Sequence, residues 1–221
     1  ALTALLGHPL ARFGMEPDEK RRAASIFERI ALRGTLGDVD VTALTALLDA
    51  EAATRSERRH QPAWRRRISD EDIAAARAMT LRVEAAVAPL AGRFARFLTS
   101  RRADAAPGRL TIAQWAELTA RVLEDVAADD RGELGNLWGG EAGNKLAGLF
   151  ADLIAARAEI SADGTDWADI AAAFLAGEIV KPDVTAHPRI FIWGALEARL
   201  QDVDTLLLAG LNEGSWPQRP G

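Results

Sequence analysis

The chain contains no cysteine and no tyrosine, and only 2 methionines and 3 histidines. Without a thiol it forms no disulfide, no cysteine-ligated zinc site and no cysteine-bound iron–sulfur cluster. His8, His60 and His187 are scattered, and two of them precede a proline, where a turn or capping role fits better than a ligand set. The only lysines are Lys20, Lys145 and Lys181. None follows a phosphate loop, in which clustered glycines, a lysine and a hydroxyl meet the phosphates. Gly139-Gly140-Glu141-Ala142-Gly143-Asn144-Lys145 lacks both the spacing and the hydroxyl, and is expected to be a helix-entry loop. Asp129-Asp130 and Asp202/Asp204 are carboxylate pairs without a third convergent ligand, so no metal site is expected. Serine and cysteine nucleophile motifs are absent as well, and no catalytic residue is assigned. No apolar run approaches the roughly 18 residues of a membrane helix, and no signal peptide opens the chain. A cytoplasmic setting with no membrane contact is the expectation.

What is present is ordinary globular material in an arginine-rich version. The 221 residues are 48% hydrophobic and 27% charged, with a formal net charge of −5. That length suits one large or two small domains. Helical periodicity dominates to about residue 180. Ala23, Ile26, Phe27 and Ile30 place a helix over Asp18 to Arg33, stopped by Gly34. Leu44, Leu47 and Leu48 place another over Val41 to Ala53. Ser69 to Asp72 reads as a capping box opening a long helix that Pro89 should bend or divide. Thr111 and Gln114 form a second capping box, opening a helix through Trp115, Leu118, Val122 and Leu123. Helices from Glu141 to about Ile160 and from an Asp166 cap through Leu175 complete the series. Trp115, Trp167 and Trp193 sit at core spacing.

The chain then changes character. Val180-Lys181-Pro182-Asp183 reads as a link, and Leu206-Leu207-Leu208-Ala209 as a buried strand broken by a glycine-bracketed turn. Turns after such strands are where open α/β sheets keep ligand sites. The expected fold class is therefore mainly α: a bundle-like helical domain over residues 1–182, then two strands and a turn opening an α/β element over 183–221. The chain starts at Ala1 without methionine and stops just past that turn, as expected of an internal piece of a longer protein.

One segment stands apart in charge. Arg55 to Arg67 holds Arg55, Arg58, Arg59, Arg65, Arg66 and Arg67 against Glu57, a local charge of +5 in a chain of −5. Such concentration in an acidic chain suits phosphate groups, and Trp64 offers a ring on which a base can stack. Pairing with acidic residues of this chain or of a partner, or plain solvation as a linker, are the other readings.

Gly210-Leu211-Asn212-Glu213-Gly214-Ser215-Trp216-Pro217 resembles the G-L-N-E-G-x-x-P strand-turn that closes motif V in the UvrD/RecB helicase superfamily. The longer block from His187 to Pro217 resembles the AddB subunits of AddAB helicase–nucleases, which carry a similar HPR-[IL]-FIWG-x-LEARLQ-x-VD…GLNEG-[ST]-WP stretch. Leu5 to Gly14 resembles the LL-x-HPLA segment that opens the helical insertion of that family. The matching blocks cover about a fifth of the chain and lie at its two ends in the family's order.

The resemblance implies an accessory, 2B-like helical insertion returning to a RecA-like 2A domain. It implies an ATP-dependent complex acting in double-strand-break repair and recombination, with an AddA-type partner and with single-stranded or duplex DNA ends as substrate. ATP with magnesium and an iron–sulfur cluster would be held elsewhere in such a protein. Where active helicases of the superfamily carry T-x-H-x-A-K-G-L-E, only Leu196 and Glu197 match. Ala195 replaces the glycine, Gly194 the lysine and Phe191 the histidine, which implies a helicase-like fold with decayed motor chemistry. Gly210, Asn212, Glu213, Gly214 and Trp216 form the motif V-like turn, where Glu213 either caps backbone amides or contacts nucleic acid. Rival readings are a fragment of an active UvrD/RecB-like helicase and a helical protein-interaction module without a nucleic-acid role.

Overall fold

The computed structural model describes residues 2–33, 39–54, 63–99, 109–156, 159–180, 189–194 and 196–209. The chain divides into two compact units, Ala1–Pro182 and Asp183–Gly221. The first is mainly helical. Its order is α1 (Leu2–Gly7), α2 (Pro17–Phe27), α3 (Leu44–Ala53), α4 (Ala63–Arg66), α5 (Asp70–Thr99), β1 (Leu110–Thr111), α6 (Ile112–Ala127), α7 (Gly140–Ala155), β2 (Ser161–Ala162) and α8 (Gly164–Gly177).

The helix α5 organises this unit, packing against α2, α3, α6 and α8. Ala76, Met79, Val83 and Ala86 recur every three or four residues, as one helix face requires. They join a first core with Phe13, Met15, Ile26, Phe27, Ile30, Leu44 and Leu48. One turn further on, Leu90 belongs instead to a second core built on Ile112, Trp115, Ala116, Ala162 and Trp167. Pro89 lies between the two sets, yet α5 runs through it without a break. Of the bend or division expected, division does not occur: Pro89 is itself exposed. The carbonyl of Ala85, which loses its amide partner, is also on an exposed residue.

The capping signals place the helix starts. Ser69 and Asp72 exchange bonds at the head of α5, and Thr111 and Gln114 do so at the head of α6. At α8 the cap is Asp163 rather than Asp166. Asp163 accepts from the amides of Thr165 and Asp166, while Asp166 reaches back to the Asp163 amide. In α3 the cap is supplied from a distance: Glu84 of α5 accepts from the Thr45 amide at 2.6 Å and the Thr45 hydroxyl at 3.0 Å.

Two short strands that periodicity did not anticipate pair antiparallel, Leu110 with Ala162 and Thr111 with Ser161. They bring the heads of α6 and α8 together. Trp115 and Trp167 stack there at 6.2 Å. The Trp115 indole donates to the Ala162 carbonyl, and the Trp167 indole donates to the Thr119 hydroxyl.

The loop between α1 and α2 is held by backbone polarity. Amides of Arg12 and Phe13 donate to the Val126 carbonyl, and the Gly14 amide donates to that of Ala128, satisfying the exposed C-terminal end of α6. Phe13, at φ 53°, and Gly14, at φ 67°, both take left-handed backbone there.

In the second unit the described residues form a turn over 196–200, and none of them lies in a strand. The turn expected after the second strand, over 210–217, lies outside the described residues. A strand must exchange its amides and carbonyls with a neighbour, and among the described residues of this unit none lies alongside. Ile192, Leu207 and Leu208 are accordingly exposed.

Candidate nucleic-acid interface

Two elements of the first unit shape the surface around the arginine run. The helix α2 ends in a π turn, Glu28–Leu32, which buries Ile30 and Ala31. The extra residue per turn closes with the Arg33 amide on the Glu28 carbonyl. Arg33 is carried over the Trp64 ring, its guanidinium carbon 5.7 Å from the ring centroid, and pairs with Glu28 at 3.5 Å. Trp64 is itself half-buried against the first core.

The short helix α4 and the turn after it then carry three consecutive arginines of unequal burial. Arg65 is only 7% exposed. One terminal nitrogen of its guanidinium lies 3.6 Å from a Glu51 carboxylate oxygen and 3.4 Å from the Glu51 carbonyl, while its Nε has no hydrogen-bond partner. Arg66 and Arg67 are exposed. Among the described residues no carboxylate reaches ion-pair distance of either. The buried Ile68 closes the segment.

Of the expected contact residues, Arg66 and Arg67 are exposed, while Trp64 is half-buried beneath Arg33. Arg65 faces inward toward Glu51, in keeping with the internal ion-pairing reading for that one residue. Trp64 packs on protein, and Arg33 lies over its ring, so the free stacking platform expected of it is not what the structure presents. Arg55, Arg58 and Arg59 lie outside the described residues, as do Gly210, Asn212, Glu213, Gly214 and Trp216 of the motif V-like turn. Arg33 was not singled out from sequence. It sits 31 positions before Trp64 and reads only as the end of a helix.

The other candidate chemistries resolve into structure. Gly139 precedes α7 and Gly140 has φ 66°. A β-carbon on Gly143 would stand 2.6 Å from the Trp138 carbonyl carbon and 2.7 Å from the Leu137 oxygen. These glycines therefore serve helix entry and close packing. Lys145 is committed to the end of α8, bonding the Ile179 carbonyl at 2.9 Å and Glu178 at 2.7 Å. Asp129 accepts from the amides of Glu133 and Arg131, which hold its carboxyl below the ordinary range. His8 accepts from the Leu10 amide in a local turn. Among the described residues no cluster of three metal-ligating side chains occurs, and no helix is long and apolar enough to cross a membrane.

In the second unit, Glu197 accepts from the Gly194 amide at 2.9 Å, and Phe191 stacks on Trp193 at 5.2 Å. Leu196 is exposed. The two residues that match the helicase pattern therefore act here as a local cap and an unburied side chain.

Comparison with protein-family models, with curated protein sequences and with solved structures returned no match.

Proposed function

We propose that this chain is a non-catalytic helical element that contacts nucleic acid through the arginine-rich segment ending at Arg67. The single observation that supports it best is the pair Arg66 and Arg67. Both are exposed on a segment pinned by Trp64 and Arg65, in a chain whose net charge is negative. Two adjacent exposed guanidinium groups concentrate positive charge on a protein whose net charge is negative, which favours a polyanion at that point. In this reading Arg33, Arg66 and Arg67 contribute charge, and Arg55, Arg58 and Arg59 extend the same segment.

The resemblance to AddB subunits gives the reading its setting. There the chain would be a 2B-like scaffold, with the beginning of a RecA-like domain, in a cytoplasmic helicase–nuclease that repairs double-strand breaks. It would work beside an AddA-type subunit, with ATP and iron–sulfur chemistry held elsewhere. The replacement of the motif V lysine and histidine by Gly194 and Phe191 favours this over an active helicase. One observation favours a protein partner as well: Phe174 and Leu175 near the end of α8, with Ile179 just beyond it, are 43%, 52% and 73% exposed.

The test is the double variant Arg66→Glu/Arg67→Glu in a fluorescence-anisotropy titration with a single-stranded and a duplex oligonucleotide. Binding weakened by an order of magnitude or more, with an unchanged melting temperature, is expected. Unchanged affinity would remove the segment from nucleic-acid contact and leave the protein-interaction reading.

A further inference from the structure

We infer that the three consecutive arginines divide their work, with Arg65 as a positioning residue, locked by Glu51, that aims Arg66 and Arg67 at the polyanion. The inference rests on the nucleic-acid reading above but assigns Arg65 a role opposite to that of its neighbours.

A four-residue helix has too few internal hydrogen bonds to hold its own direction. Something outside α4 must therefore fix it. Trp64 supplies one point, wedged between the first core and the Arg33 guanidinium. Arg65 supplies the second, reaching back 14 positions to the last turn of α3, where it meets both the carboxylate and the carbonyl of Glu51. The Glu51 carbonyl is also held by the Thr54 hydroxyl at 3.0 Å. A guanidinium buried to 7% exposure with an unpartnered Nε is poorly solvated. Its charge therefore depends on Glu51 to stay where it is. With two successive side chains turned inward, the next two project outward, and the exposed pair Arg66 and Arg67 follows. A phosphate approaching Arg65 would have to displace the Glu51 carboxylate, so Arg65 contributes aim rather than contact.

The variant Glu51→Gln separates this from simple charge. Removing a carboxylate near an anion-binding surface should strengthen binding if electrostatics alone matters. If Glu51 locks the aim of the segment, the same change weakens binding at least several-fold. The experiment has two arms on the intact protein. In the first, phenylglyoxal modification is followed by peptide mass in the absence of nucleic acid. Arg66 and Arg67 should be modified readily and Arg65 slowly, and Glu51→Gln should bring Arg65 to the rate of its neighbours. Equal rates in the unaltered protein, or no change in the variant, would overturn the lock. In the second, oligonucleotide affinity is compared between the unaltered protein, Glu51→Gln and Arg65→Met. Weaker binding by both variants, with the slope of log affinity against log salt kept, is expected. Tighter binding by Glu51→Gln, or a shallower slope for Arg65→Met, would make Arg65 a direct contact instead. Should no form bind nucleic acid, the functional reading fails, while the modification arm still decides the lock.

Discussion

A buried ammonium group needs acceptors, and Lys20 finds them in backbone. It is 4% exposed, and its Nζ bonds the carbonyls of His8 at 2.9 Å and Ala11 at 2.6 Å. Burial, and then the charges of Arg12 and Arg21, push its pKa below the ordinary 10.5. Lys20 is thus a fastener for the loop that carries the left-handed Phe13, a conformation costing a bulky residue about 1–2 kcal/mol. Lys20→Met should leave two carbonyls without a donor and destabilise the fold by about 1–3 kcal/mol at neutral pH, read by chemical denaturation. The pH dependence has a definite sign. Between its lowered folded value and 10.5, the folded state binds fewer protons at Lys20 than the unfolded state does. The unaltered protein should therefore gain stability relative to Lys20→Met as pH rises through that window. A constant difference across it would show the group to be unperturbed.

At the scale of elements, what was legible in the sequence was local and what was not was distant. The heads of α5 and α6 followed from side chains within three positions of each other, Ser69 with Asp72 and Thr111 with Gln114. At α8 the same chemistry was misread by three residues, because Asp163 and Asp166 are both acceptable caps and only the backbone separates them. Nothing in α3 reveals that Glu84, 39 positions away, caps it. Nor does an arginine run reveal which member turns inward, since that depended on Glu51. The paired strands β1 and β2 are two residues each, too short for any alternation to register. Of two opposing effects at α7, one is similarly hidden. Exchanging a helical glycine for alanine ordinarily gains up to about 1 kcal/mol. At Gly143 the added carbon would meet main-chain atoms of Leu137 and Trp138 inside 3 Å, and backbone yields less readily than a side chain. Gly143→Ala should accordingly lose about 1–3 kcal/mol, visible as a lower melting temperature. A rise would mean that the 136–139 turn moves freely away from α7.

For the whole molecule, charge placement matters more than charge total. A chain with net charge −5 is a poor general polyanion binder. Any affinity it has must come from a few positive groups acting together against a repelling background, so it should be steeply salt-sensitive. The most direct test is anisotropy of a labelled single-stranded oligonucleotide titrated with the unaltered protein at salt concentrations from about 20 to 200 mM. Log affinity should fall linearly with log salt, with a slope of about −1.4 or steeper, as two or more neutralised phosphates require at about 0.7 each on a single strand. No binding at the lowest salt, or affinity indifferent to salt, would contradict it.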